Sequence, residues 1–138
     1  MDQNIGWLKK KHRKKDFLMD RKKELKLQYK QMKPQMGIFM VRCKINNKYF
    51  LKATPDLRGV INGTKARLGG GFHPNLELQK EWNDFGPENF TIEILENLAY
   101  DEDESKTDYS EELALLEMIW EEKFAKENME LYKKRIPR

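Results

Sequence analysis

Cysteine occurs once in the 138 residues, at Cys43, so no intramolecular disulfide is available. Nothing in its sequence context marks that thiol as reactive, and a reduced, cytoplasmic setting is expected. Long apolar runs are missing too. No stretch approaches the length that crosses a bilayer, and the basic N-terminus lacks the apolar core of a signal peptide, so no membrane partner is expected. Apolar residues are scarce at 38%, while charged residues reach 36%. That balance restricts the chain to one small core carrying a large solvated surface. Phosphate-loop signatures are also absent. Gly69-Gly70-Gly71 is not followed by a Lys-Ser/Thr pair and has no GxGxxG spacing; it reads as the end of a helix and a flexible joint.

Charge is abundant and unevenly distributed. Residues 1–33 hold twelve Lys/Arg against four Asp/Glu, residues 34–95 eight against six, and residues 96–138 seven against thirteen. A basic arm ahead of a near-neutral core favours polyanions, above all nucleic acid. Lys9, Lys10, Lys11, Arg13, Lys14 and Lys15 are the densest part of that arm. Asp16 is a plausible cap for a helix reaching about Met32, stopped by Pro34, with Leu18, Leu25, Tyr29 and Met32 on one stripe. The stripe is an expected packing or self-association surface.

Two strands follow, over about 37–43 and 48–53, joined by Asn46-Asn47, a turn pair that tolerates positive φ. Pro55-Asp56 opens a helix whose Leu57, Val60, Ile61, Thr64 and Leu68 share a face. A second helix spans Asn75 to Phe85 and stops at Gly86-Pro87. Phe90 to Leu95 alternates strictly and predicts a third strand. A last helix is expected from near Ser110 to about Tyr132. The order implies an α+β fold with a small three-stranded antiparallel sheet flanked by helices, preceded by a basic N-terminal helix. The expected divisions are 1–34, 35–128 and a basic tail at 129–138.

Among candidate chemical groups, Glu117 is the most informative. It lies within the apolar stripe Leu113, Leu116, Trp120 and Phe124, where a carboxylate needs a partner, water or a metal. His73 precedes the second middle helix, where a base or phosphate ligand could sit, although loop histidines are usually incidental. Asp101, Asp103, Ser105, Thr107 and Glu112 match ligand positions of a calcium loop, but Lys106 stands where the turn needs glycine. A solvated linker or helix cap is the better reading there.

Taken in order, these features resemble the GIY-YIG nuclease family over Met36 to Phe124. Gly37-Ile38-Phe39 is similar to the first motif and Phe50-Leu51-Lys52 to the second, while Leu116-Glu117 through Trp120 resembles the metal-binding helix. The resemblance implies phosphodiester hydrolysis with one Mg2+ or Mn2+ held by Glu117, and a histidine at His73. Phe39 and Phe50 stand where the family has tyrosines, Lys52 replaces a glycine, and Val60 takes the place of an arginine. Phenylalanine has no hydroxyl to move a proton. Tyr49 could substitute only if a bulge turned it to the side of Phe50. The expected function is therefore nucleic-acid binding, chiefly of DNA, with cleavage reduced or lost. Lys52, Arg58, Lys65 and Arg67 would extend the basic surface. Two alternatives stay open: an active endonuclease with a rearranged site built on Glu117, His73 and Tyr49, and a non-catalytic regulatory or protein-interaction module.

Overall fold

The computed structural model describes residues 20–28 and 33–133. The chain divides into two compact units, Met1–Lys33 and Pro34–Arg138. In the first, residues 20–28 are helical and exposed; Lys9–Lys15, Leu18, Tyr29 and Met32 lie outside the described residues.

The second unit runs β1 (Met36–Cys43), β2 (Tyr49–Thr54), α1 (Leu57–Gly70), α2 (Leu76–Phe85), a short 3-10 turn (Pro87–Asn89), β3 (Phe90–Leu98) and α3 (Ser110–Lys126). The sheet order is β2-β1-β3 and both pairings are antiparallel. As the central strand, β1 is buried on both faces. This accounts for the unbroken Ile38-Phe39-Met40-Val41 run, where a half-exposed strand would alternate. Asn47 adopts φ 60° in the turn between β1 and β2, and the Arg42 guanidinium donates to its side-chain oxygen at 2.9 and 3.1 Å.

The pleat sorts the core into two layers. Phe39, Val41 and Cys43 pack with Leu57, Leu68 and Leu78 of α1 and α2 on one face. Ile38, Met40, Tyr49 and Leu51 meet Leu116 and Phe124 of α3 on the other. Gly37 lies tight against β3: a Cβ there would collide with the Glu96 carbonyl oxygen. A register shift between Ile38 and Phe39 follows directly after it.

Two local expectations change. The triple glycine ends the helix as expected, but Gly69 and Gly70 lie inside the last turn of α1 rather than in a joint after it. Gly71 is left-handed at φ 82°, its N–H bonds the Leu68 carbonyl at 3.3 Å, and the Phe72 N–H bonds the Arg67 carbonyl at 3.0 Å. The last helix ends at Lys126, not near Tyr132. Asn128 turns left-handed at φ 62°, and the chain doubles back onto the sheet. Leu131 forms a parallel bridge with Tyr49, the Tyr49 N–H donates to the Glu130 carbonyl at 3.0 Å, and the Tyr132 N–H donates to the Tyr49 carbonyl at 2.8 Å. This segment caps the outer edge of β2, and Tyr132 is fully buried beside Phe39 and Val41.

Candidate active-site face

The α1/α2 face of the sheet carries the residues at the motif positions. In the register of β1 and β2, Phe39 lies opposite Lys52 and Val41 opposite Phe50, so all four point to this face. The Phe39 and Phe50 rings meet edge to face at 6.4 Å, and Phe50 meets the His73 ring at 5.1 Å and 89°. Val60 packs against the same cluster, so the arginine position of the resembled family is filled by core here.

His73 is held by its neighbours. Its backbone N–H donates to Gln79 Oε1 at 2.8 Å, and its Nδ1 accepts from the Asn75 N–H at 2.9 Å. Acceptance at Nδ1 leaves the proton of the neutral ring on Nε2. Burial holds its pKa below the ordinary imidazole value, and the nearby positive charges of Arg67 and Lys52 act in the same direction. Asn75 is also the cap of α2, its side-chain oxygen accepting from the Leu78 N–H at 3.0 Å. Gln79 in turn reaches the Leu68 carbonyl at 3.0 Å. Asn75 and Gln79 were not singled out from sequence. The cap was recoverable, because asparagine precedes an apolar-periodic stretch; the Gln79 contact, six residues from His73, was not.

The candidate basic residues divide. Arg58, Lys65 and Arg67 are all exposed on α1. Seven residues separate Arg58 from Lys65, which places them on one side of the helix. Nine separate Arg58 from Arg67, which puts Arg67 on the opposite side. The positive charges of Lys52 and Arg67 are felt at His73.

Glu117 and Tyr49 belong to the other face. Glu117 is half-exposed on α3, whose Leu116 and Phe124 pack on Ile38, Met40, Tyr49 and Leu51. Tyr49 is buried there with its ring 4.9 Å from Phe124; no bulge turns it toward Phe50. Burial raises its pKa, and the Glu121 carboxylate one turn beyond Glu117 adds to the shift. Trp120 Nε1 donates to a Glu96 carboxylate oxygen at 3.0 Å. Among the described residues, no three His, Cys, Asp or Glu side chains converge on a metal-sized position. The described residues therefore hold no preformed cage of three such ligands.

In the acidic linker, Asp103 accepts from the Ser105 N–H and hydroxyl at 3.0 and 2.6 Å, and Asp108 accepts in the same way from Ser110 at the start of α3. Lys106 pairs with Glu112. These carboxylates serve as turn and helix-start acceptors.

No protein-family profile and no curated protein matches the chain. Among solved structures it is similar to the catalytic domain of the homing endonuclease I-TevI, with a TM-score of 0.57 and 21% identity over 73% of this chain and 99% of that domain. A point mutant of that intron endonuclease's catalytic domain aligns at TM-score 0.52 and 21% identity, covering 75% of this chain and 97% of that one. The likeness is one of fold: a small three-stranded antiparallel sheet flanked by helices, of GIY-YIG-like architecture.

Proposed function

We propose that this protein binds nucleic acid, chiefly DNA, on an endonuclease-like fold whose cleavage activity is reduced or lost. The observation that carries the reading is the pair of phenyl rings, Phe39 and Phe50, at the centre of the motif face. Phe39 is fully buried and neither ring carries a hydroxyl. Loss of general acid–base help costs about 10²–10⁴-fold in rate, and loss of an oriented charge stabiliser about 10²–10³-fold. The fold shared with a nuclease catalytic domain supports a nucleic-acid partner, as does the excess of Lys/Arg in residues 1–33. Lys52 and Arg67 supply positive charge beside His73, suited to phosphate contact rather than to proton transfer. If the protein takes up Mg2+ or Mn2+, Glu117 is the carboxylate that would hold it.

The test combines two measurements. Duplex DNA binding, followed by anisotropy from low to high salt, should weaken linearly on logarithmic axes. Plasmid incubated with Mg2+ or Mn2+ should stay supercoiled on the time scale in which an active nuclease nicks it. Salt-independent binding, or none, overturns the reading. Metal-dependent nicking that disappears in Glu117→Ala would establish an active enzyme instead.

A further inference from the structure

Phe72 directly follows the left-handed Gly71 at the end of α1 and is 65% exposed. In this type of helix stop the residue after the glycine ordinarily covers an apolar side chain in the last turn. The residue at that place is Arg67, whose carbonyl accepts the Phe72 N–H at 3.0 Å, and the ring stays largely exposed. The ring is nonetheless positioned. It lies against the Cα of Gly70, where an added Cβ would collide with its Cε1 and Cδ1 atoms. Leu76, 70% exposed, opens α2 four residues on. Arg67 and Lys52, both exposed, act with their positive charges on the adjoining His73, whose ring meets Phe50 edge to face and accepts at Nδ1 from the Asn75 N–H.

An exposed aromatic ring seated on glycine backbone, one residue before a histidine that feels the positive charges of Arg67 and Lys52, is a combination suited to an unstacked base and the phosphates next to it. We infer that Phe72 is a stacking platform for an unpaired nucleobase, with Arg67 and Lys52 contacting the neighbouring phosphates. The inference rests on the nucleic-acid reading above and narrows its substrate class to single-stranded or locally unpaired nucleic acid. A duplex interior hides the base faces that this ring would cover.

The full chain is titrated with a single-stranded oligonucleotide carrying one 5-iodouracil and with the same strand in a duplex. Each complex is then photocrosslinked and mapped by mass spectrometry. The single strand should bind more tightly, and its crosslink should fall on Phe72. Phe72→Leu keeps an apolar side chain but removes the π face, and should weaken single-strand binding about tenfold or more. Phe72→Tyr should bind as the unmodified chain does. Gly70→Ala, which displaces the ring without altering any charge, should weaken binding in the same direction as Phe72→Leu. Equal affinity of the Leu variant, a duplex preferred over the single strand, or crosslinks that avoid Phe72 would each overturn the platform while leaving nucleic-acid binding intact. A change of sedimentation state in Phe72→Leu would assign the ring to a protein contact and overturn it also. Failure of both strand forms to bind the unmodified chain would instead remove the underlying reading.

Discussion

His73 shows how a polar residue becomes legible only in part. Its position after the glycines and before α2 could be read from sequence, and so could its place in a motif order. Its burial could not, because that depends on Phe50 arriving from β2 and on Gln79 folding back across α2. The consequence is a pH dependence of known sign. With the folded pKa held below 6.5, chiefly by burial, the unfolded chain binds more protons between the two values. The contribution to stability is fully present above about pH 6.5 and is lost as the pH falls through the folded value. Stability measured by urea unfolding from pH 7.5 to 5 should therefore decline, with a slope of at most about 1.4 kcal/mol per pH unit from this group. His73→Asn keeps a side-chain acceptor for the Asn75 N–H and should remove that part of the slope. The same slope in both proteins would place the titrating group elsewhere. Gly37 is the reverse case, a motif residue whose identity is structural: the close passage of the Glu96 carbonyl excludes any side chain.

At the level of elements, all three strands and the helices over α1 and α2 were readable, because turn residues and caps bound each apolar pattern. Asp56 receives the Gly59 N–H at 3.1 Å and Asn75 that of Leu78 at 3.0 Å, as cap residues should. The end of α3 was not readable. Met129, Leu131 and Tyr132 continue a helix-like spacing, and only the left-handed Asn128 breaks it. Their apolar character serves the sheet edge instead. Tyr132 donates its hydroxyl to Glu81 at 2.7 Å, and Glu81 also accepts from Asn46 at 2.8 Å and pairs with Lys48 at 3.6 Å. Burial would raise the Glu81 pKa, but these partners outweigh it and hold the carboxyl below its ordinary value. Burial, reinforced by Glu81, pushes the Tyr132 phenol well above its own. Tyr132→Phe should cost about 1 kcal/mol, since Glu81 keeps two other partners. Tyr132→Ala should cost about 3–5 kcal/mol, because it empties a core position. Chemical denaturation of both variants checks this, and equal losses would mean that the hydroxyl rather than the ring carries the contribution.

For the molecule as a whole, charge and fold were legible from different signals. The GIY-YIG-like arrangement followed from the order of weak motifs, none of them specific alone. The pleat decided what their order could not: Phe39, Phe50 and His73 meet on one face, while Tyr49 and the helix of Glu117 pack on the other. The basic arm is a property of composition, and its prediction belongs to the intact chain. Replacing Lys9, Lys10 and Lys11 by glutamine should weaken binding to all sequences alike. It should also reduce the logarithmic salt slope by about 0.9 for each duplex phosphate that the arm no longer neutralises. An unchanged slope would move the electrostatic attraction to the α1 surface around Arg58 and Lys65.

The return of Glu130–Tyr132 onto β2 also has a bearing on synthesis. A nascent chain that has emerged only as far as Lys126 contains every described strand and helix of the second unit, yet its α1/α2 layer still lacks the Tyr132 ring and one edge of its sheet is bare. Closure of this fold therefore waits for residues translated after its last helix. A premature stop just past Lys126, or a fusion joined there, would release an incomplete core with an open strand edge able to pair with other chains.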